Sequence, residues 1–146
     1  MQKTAVQSDQ APAALGPYSQ GIRVGDTVYI SGQLGLVPAT GNLPETIEEQ
    51  THQAFKNLRA IAQAAGGDLD HFVKLTLLLA NLGDFAKIND IMATYFKAPY
   101  PARATYQVAA LPKGGKIEIE AVMVLSAGPA NPQTGWRETF DATKGA

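Results

Sequence analysis

The stretch PYPARATYQVAALPKGGKIEIEAV, residues 99–122, contains the features that decide the fold. Its first two prolines, Pro99 and Pro101, end any preceding helix and favour an extended backbone before Arg103. Strands over 103–109 and 116–125 follow, joined by LPKGG, and we expect them to pair as a hairpin. Such a hairpin would bring the guanidinium of Arg103 close to the carboxylates of the second strand.

The second of these strands alternates in polarity along its length. One face is apolar and carries Ile117, Ile119, Ala121, Met123 and Leu125. The other face is polar at one end and apolar at the other, and it carries Glu118, Glu120, Val122 and Val124. No spare helix remains to cover this second face. A second copy of the chain is the simplest cover, which predicts a closed homo-oligomer.

The pattern upstream predicts two strands in IRVGDTVYISGQL, with a tight turn at Gly25–Asp26. From Thr46 the apolar residues recur at spacings of three and four, which is typical of a helix. Thr46 and Glu49 form a capping-box motif, and Gly66–Gly67 supplies the stop.

The next element, HFVKLTLLLA, is apolar at most positions, which suggests a strand covered on both faces. A second helix follows, with Asp84 as the expected N-cap. Its expected buried stripe comprises Phe85, Ile88, Met92, Tyr95 and Phe96. The element order is therefore β-β-α-β-α-β-β, an α+β class with a mixed sheet and both helices on one face.

The chain of 146 residues is long enough for one domain with a substantial core, which we assign to residues 1–125. Residues 126–146 have no clear period apart from a lone Trp136 and Phe140. They form either a disordered tail or an arm that docks through those aromatic rings. Charged residues make up 17% of the chain, below the roughly 25% usual for soluble domains, which agrees with a partner covering part of the surface.

Composition also limits the classes of function. The net charge of -1 gives no electrostatic basis for binding nucleic acid or an anionic membrane. The absence of cysteine excludes a disulfide framework, a zinc–thiolate site and a thiol nucleophile. His52 and His71 have no plausible third ligand nearby, so we expect no metal site. The most apolar stretch is too short to span a bilayer and the N-terminus lacks a signal-peptide core, so we expect a soluble, cytoplasmic protein.

Arg103 is the first candidate site residue, and Thr105 shares its strand face. An arginine on a strand is often a surface ion-pair partner. Here, however, the rigid Pro-Ala backbone before Arg103 and the carboxylates expected on the neighbouring strand favour an anchor for a small organic acid. Glu118 and Glu120 share a face, and either one could manage a proton or orient a water. Strand parity does not distinguish between them.

Three further segments offer weaker candidates. Ser31 and Gly32 end a strand, where a hydroxyl and a bare backbone could approach a ligand, although an ordinary turn is equally consistent. Tyr18 stands between glycines in GPYSQG, where a buried tyrosine is the simpler interpretation. Asn89 interrupts the apolar side of the second helix, where such residues are usually bonded locally or exposed.

The motifs APAALGPYSQGIRVGDTVYISGQ, NLRAIAQAAGG, DFAKIND, PARAT and LPKGGKIEIEAV occur in order from about residue 3 to residue 125. This combination resembles the RidA (YjgF-type) reactive-intermediate deaminases over nearly all of the chain except the tail. The resemblance implies a chorismate-mutase-like subunit and a homotrimer with sites in the clefts between subunits. It also implies hydrolysis of 2-imino acids and their enamine tautomers, released by dehydratases acting on threonine or serine, to 2-keto acids and ammonia without a metal or organic cofactor.

The resemblance assigns roles to the candidate residues. Arg103 would anchor the substrate carboxylate, and Glu118 rather than Glu120 would position or activate the attacking water. The implied pocket residues are Tyr18, Ser31, Gly32, Asn89 and Thr105. Thr105 stands where many relatives have cysteine, so a small hydrogen-bonding group is kept and the thiol is lost.

The resemblance leaves two other functions open. The first is a non-catalytic trimer that binds a keto acid as a sensor or scaffold, since Arg103 would serve it equally well. The second is action on RNA, which the near-neutral charge does not favour. Only turnover distinguishes the deaminase from the binding protein, and we favour the deaminase.

Overall fold

The structure is a computed structural model, and it describes residues 1–127. The strands and helices, in chain order, are β1 Lys3–Val6, β2 Gly21–Val24, β3 Thr27–Leu34, α1 Ile47–Ala64, β4 Phe72–Leu79, α2 Phe85–Tyr95, β5 Ala102–Gln107 and β6 Ile117–Val124. Short 3-10 turns precede β4 and α2 and lie between β5 and β6. The predicted tail lies outside the described residues except for Ser126 and Ala127.

The strands form one mixed sheet in the order β1-β2-β3-β6-β4-β5. Only the pairing of β4 with β5 is parallel among the strands of residues 1–127, because α2 carries the chain back across the sheet between them. The predicted α+β class with two helices is confirmed. The structure adds β1, which the sequence analysis did not predict because Val6 is the only buried residue of that short edge strand.

The predicted hairpin between the last two strands is wrong. β4 lies between β5 and β6 and bonds to both of them. The LPKGG segment instead carries the chain past the end of β4, where Val108 N–H donates to Leu79 O at 2.9 Å and Ala80 N–H donates to Lys116 O at 3.1 Å. The two segments are therefore neighbours in sequence but not in the sheet.

α1 begins and ends as its sequence predicts. Thr46 and Glu49 form the capping box reciprocally, and Gly66 adopts a positive φ of 95° just after the helix. α1 packs on β3 and β6 and against α2. Its buried face includes Phe55, Leu58 and Ile61, so one face of the sheet is covered by both helices.

α2 departs from its prediction in two respects. Asp84 occupies the N-cap position but makes no side-chain cap bond, whereas Asn81 caps the 3-10 turn before it. Phe85 is 39% exposed rather than buried, and Tyr95 is only partly buried. The buried stripe of the helix is formed by Ile88, Ile91 and Met92.

The other face of the sheet is open in the single chain. On β6 the alternation is as predicted, because Ile117, Ile119, Ala121 and Met123 are buried while the intervening residues are not. β4 was expected to be covered on both faces, but its Thr76 and Leu78 are half-exposed on this open face. Tyr29 of β3 and Tyr106 of β5 lie on the same face and are each more than half exposed.

Candidate active site

Arg103 lies near the start of β5, on the face of the sheet that carries the helices. Its partner on β4 is the fully buried Leu75, and directly paired residues project to the same face. At α2, Nη1 of Arg103 donates a hydrogen bond of 2.6 Å to Oδ1 of Asn89 and lies 3.6 Å from Sδ of Met92. The guanidinium carbon lies 5.2 Å from the centre of the Phe85 ring. These three contacts hold the guanidinium in one orientation.

The remaining side of the guanidinium faces an open pocket of about 340 Å³. The pocket is lined by Asn89, Met92, Ala93, Tyr100, Pro101 and Arg103. Within residues 1–127 the salt bridges involve other cations, and no carboxylate pairs with Arg103. A guanidinium has five N–H donors in a planar fork, so most of them remain for an incoming carboxylate.

Thr105 stands two residues further along β5 on the same face, opposite the buried Leu77. Its Oγ1 is buried and has no hydrogen-bond partner within residues 1–127. A buried hydroxyl without a partner is costly, so this oxygen is available to a ligand or to another chain.

Glu118 lies on the opposite, open face of the sheet, paired with the half-exposed Leu78 of β4. Its carboxylate packs against the bare backbone of Gly32: a Cβ built on Gly32 would lie 3.0 Å from both Cδ and Oε2 of Glu118. Burial raises the pKa of Glu118 above its usual value, and the nearby charge of Glu120 raises it further.

A β-bulge in β3 creates this arrangement. The register with β6 shifts between Ile30 and Gln33, so Ser31 and Gly32 together stand opposite Glu120. Glycine at the second bulge position leaves room for the neighbouring carboxylate. The bulge therefore explains why Gly32 and Glu118 lie in contact.

Hydrogen bonds connect Ser31, in the bulge of β3, to the loop that carries Tyr18. Oγ of Ser31 donates a hydrogen bond of 2.6 Å to the backbone oxygen of Ser19, the residue next to Tyr18. The backbone N–H of Ser31 donates to Gln20 O at 2.9 Å, which ties the GPYSQG loop to the bulge. Tyr18 is 53% exposed, so its ring is not the buried tyrosine of the simpler interpretation.

The sequence candidates therefore form two groups. Arg103, Asn89 and Thr105 lie on the helix-bearing side, whereas Glu118, Gly32 and Ser31 lie around the bulge, with Tyr18 in the adjoining loop. The expectation that a hairpin joins Arg103 to Glu118 is wrong, because β4 separates their strands and the two side chains leave opposite faces of the sheet.

The sequence analysis missed two residues that position the guanidinium. Phe85 and Met92 were assigned only to the core, yet both contact Arg103. A signal was present, because Phe85, Asn89 and Met92 follow one another at helical spacings of four and three. Recognising it requires knowing that β5 packs beneath α2.

Both histidines have local structural partners. Nδ1 of His52 lies 2.8 Å from the hydroxyl of Tyr95, and Nδ1 of His71 accepts a bond of 3.0 Å from the backbone N–H of Asp68. Across residues 1–127 no group of three or more His, Cys, Asp or Glu residues could hold a metal ion. In the same part of the chain no helix is long and apolar enough to cross a membrane.

Comparison with known proteins places the chain among proteins of this architecture. A family model described as Endoribonuclease L-PSP matches residues 8–125. RutC family protein y4sK of Sinorhizobium fredii is 55% identical over 122 residues, which are 83% of this chain and 97% of that protein. The 2-iminobutanoate/2-iminopropanoate deaminase of Bos taurus is 52% identical over 120 residues, which are 82% of this chain and 88% of that protein.

The fold agrees with solved structures as well. The crystal structure of RidA from an Antarctic Psychrobacter superimposes with a TM-score of 0.81 at 51% identity. The match covers 83% of this chain and 98% of that structure. On its sequence, its sheet topology and these matches, the chain belongs to the RidA (YjgF-type) family, whose sequence model carries the description Endoribonuclease L-PSP.

Proposed function

We propose that this protein is a deaminase that hydrolyses 2-imino acids and their enamine tautomers to 2-keto acids and ammonia. Candidate substrates are 2-iminobutanoate and 2-iminopropanoate, after which relatives at 52% identity are named. One observation carries the proposal: the guanidinium of Arg103 is oriented by Asn89 and opens onto a pocket on its remaining side.

The carboxylate of the imino acid would bind Arg103 through the free edge of the guanidinium fork. Each charge-assisted hydrogen bond contributes about 1.5–3 kcal/mol, so two of them suffice to hold a ligand of only a few atoms. The bond to Asn89 fixes the plane of the guanidinium before substrate arrives, which reduces the entropy lost on binding.

Glu118 would act on the water. Burial raises the pKa of Glu118, and a carboxylate with a raised pKa is a better proton acceptor. Its carboxylate lies against the exposed backbone of Gly32. Tyr18 and Ser31 would complete this half of the pocket.

The chemistry requires only positioning and one acid–base group. Water attacks C2 of the protonated imine while Glu118 accepts one of its protons, and a carbinolamine forms. Glu118 then gives this proton to the amino nitrogen and accepts the hydroxyl proton as the carbonyl forms, so the C–N bond breaks and ammonia leaves. One water is consumed and one ammonia released, so the balance needs no redox or group-transfer cofactor.

The two groups of residues would meet between copies of the chain, and we extend the proposal to a homotrimer with sites at its subunit interfaces. The open sheet face, with Tyr29 and Tyr106 exposed on it, supports burial against another copy. In this arrangement one copy supplies Arg103 and Asn89, and its neighbour supplies Glu118. The expected single domain, the cytoplasmic location and the absence of a cofactor stay predictions.

The test is a coupled assay in which threonine dehydratase generates the imino acid and keto-acid appearance is followed with and without this protein. Spontaneous hydrolysis, measured without the protein, is subtracted. Wild type should accelerate keto-acid formation, Arg103→Ala should abolish the acceleration, and Glu118→Gln should lower turnover with ligand binding largely kept. Arg23→Ala, which removes a surface arginine of β2, is the matched control and should behave as wild type.

Three results of this assay would contradict the proposed function or the assigned roles. Full activity in both Arg103→Ala and Glu118→Gln would overturn the assigned roles. No acceleration by wild type, with 2-ketobutyrate still bound by an intact oligomer, would favour the non-catalytic binding protein. Cleavage of RNA that survives Arg103→Ala would instead support the activity after which the family model is described.

A further inference from the structure

Gln20 is a buried polar residue that the proposed function does not use. It directly precedes β2, and only 4% of its surface is exposed. Its Oε1 accepts a hydrogen bond of 2.6 Å from the backbone N–H of Ser8. Its Nε2 lies 2.8 Å from Pro12 O, 3.1 Å from Ser8 O and 3.5 Å from Ala11 O, so both amide protons have main-chain acceptors. The amide of Gln20 therefore binds the main chain of residues 8–12.

These bonds connect the N-terminal segment to the GPYSQG loop. Within residues 1–127, the hydrogen bonds between residues 8–12 and residues 18–20 all involve the Gln20 side chain. On its other side the loop is bonded to the bulge of β3, where Ser31 Oγ donates to Ser19 O at 2.6 Å and Ser31 N–H donates to Gln20 O at 2.9 Å. The loop is therefore held from two sides.

Packing alone does not fix the ring of Tyr18, which this loop carries. A cavity of about 380 Å³ lies between the two segments, and its lining includes Ser8, Ala11, Tyr18 and Gln20. The Tyr18 ring is 53% exposed, so neighbouring side chains cover less than half of it. The position of the ring therefore depends on the backbone of the loop, and so on the bonds that hold the loop.

We infer that Gln20 is a positioning residue, whose amide fixes the loop so that the Tyr18 hydroxyl is presented to the substrate. The inference rests on the proposed function, in which Tyr18 completes the Glu118 half of the pocket. The Tyr18 oxygen accepts from Leu15 N–H at 3.4 Å, so its own proton remains for a ligand. Loss of the Gln20 amide should keep the bonds to the bulge but release the other side of the loop. A displacement of about 1 Å can cost about 100-fold in rate.

The first test observes Tyr18 directly by fluorine NMR. Fluorotyrosine labels the five tyrosines, and the resonance that disappears in Tyr18→Phe is assigned to Tyr18. Gln20→Met keeps the length of the side chain and removes its hydrogen bonds, so it should shift or broaden the Tyr18 resonance and leave the others in place. Leu69→Ala is the control, because it removes a buried side chain in the turn before β4 and should lower the Tm without moving the Tyr18 resonance.

The second test is kinetic, in the imine-hydrolysis assay at a temperature well below the Tm of each variant. Gln20→Met should lower kcat by about 10-fold or more with a smaller change in KM, because Arg103 still binds the carboxylate. Adding Gln20→Met to Tyr18→Phe should cause little further loss, since both changes act through the same hydroxyl. Leu69→Ala should keep the wild-type kcat.

Gln20→Glu is a second variant that also serves if Gln20→Met does not fold. Its carboxylate keeps the bond from Ser8 N–H but has no proton to donate to the oxygens of Ser8 and Pro12. As pH falls, this carboxyl gains a proton, so the Tyr18 resonance should return toward its wild-type position. Asp9 and Tyr18 are the native titratable residues lining the cavity, and the wild-type resonance over the same pH range is the reference for them.

The outcomes separate this inference from the proposed function. A Tyr18 resonance that stays in place without the Gln20 amide would overturn the inference and leave the deaminase intact. The same loss of kcat in Leu69→Ala, or losses that multiply in the double variant, would also overturn it, because Gln20 would not act through Tyr18. No imine hydrolysis by wild type would mean that the deaminase proposal is wrong, whereas the NMR comparison would still test whether Gln20 positions Tyr18.

Discussion

Arg103 and Glu118 project from opposite faces of the same sheet. Arg103 pairs with Leu75, whose side chain is buried beneath the helices, whereas Glu118 pairs with Leu78 on the open face. A small acid bound to Arg103 is therefore separated from Glu118 of its own chain by the sheet itself. If both residues act on one substrate, they must come from different copies.

Mixed oligomers provide a direct prediction. Arg103→Ala and Glu118→Gln subunits should each be nearly inactive alone, but random mixing after joint refolding or co-expression should restore activity. In a closed ring, about a quarter of the interfaces would then combine an intact Arg103 with an intact Glu118, so activity should approach a quarter of wild type. The measurement is imine hydrolysis by the purified mixture.

The control for this experiment is a mixture of Arg103→Ala subunits with Arg103→Ala, Glu118→Gln double-variant subunits. No interface in that mixture contains an intact Arg103, so it should stay inactive. The composition of the first mixture is verified by mass spectrometry. If that mixture showed no imine hydrolysis, Arg103 and Glu118 would have to act within one chain, or would not act on the same substrate molecule.

A second prediction concerns pH. Burial raises the pKa of Glu118, and the charge of Glu120, two residues along the same face, raises it further. If Glu118 acts as the carboxylate, kcat/KM falls as pH falls through this pKa. Glu120→Gln removes one of the two causes, so the acid limb of the pH profile should move to lower pH.

Steady-state rates across the acid range, corrected for uncatalysed hydrolysis, measure this shift. Lys74, Tyr29 and Tyr106 share the open face and stay unchanged in the variant. Glu45→Gln, in the exposed loop before α1, removes a carboxylate of the same type and should leave the profile in place. A limb that stays fixed in Glu120→Gln would remove Glu118 as the titrating group.

Local sequence patterns predicted the features that depend on neighbouring residues. The capping box of α1, the turn at Gly25–Asp26 and the alternation of β6 all formed as expected, because each depends on contacts within a few residues. Parity also placed Arg103 and Thr105 on one face of β5 correctly.

The order of strands is a different kind of information. The alternation of β6 predicts which of its residues share a face, but it does not predict that β6 pairs with β4 rather than with β5. That choice depends on how the helices and the LPKGG segment pack, which is a property of the whole chain. The relation between Arg103 and Glu118 was therefore beyond prediction from strand parity, and so was the contact of Phe85 with Arg103.

Thr105 allows a prediction about stability. Its buried Oγ1 has no partner within residues 1–127, so replacing the hydroxyl by a methyl group should remove a burial cost of about 1 kcal/mol. Thr105→Val should raise the free energy of unfolding and the Tm, as measured by urea and thermal denaturation. Thr51→Val is the matched control, since the buried hydroxyl of Thr51 donates to Ile47 O at 2.7 Å and its loss should not stabilise. A lower Tm for Thr105→Val would show that the hydroxyl is bonded in the assembled protein.

Replacing Gly32 tests whether the bulge positions the carboxylate of Glu118. A methyl group there would lie 3.0 Å from Cδ and Oε2 of Glu118, so Gly32→Ala should displace the carboxylate and leave the fold intact. We expect kcat to fall by about 10-fold or more with a smaller change in KM, because Arg103 holds the substrate. If the effect passes through Glu118, adding Gly32→Ala to Glu118→Gln should cause little further loss. Losses that multiply in the double variant would mean that Gly32 acts independently, for example through its own backbone on the ligand.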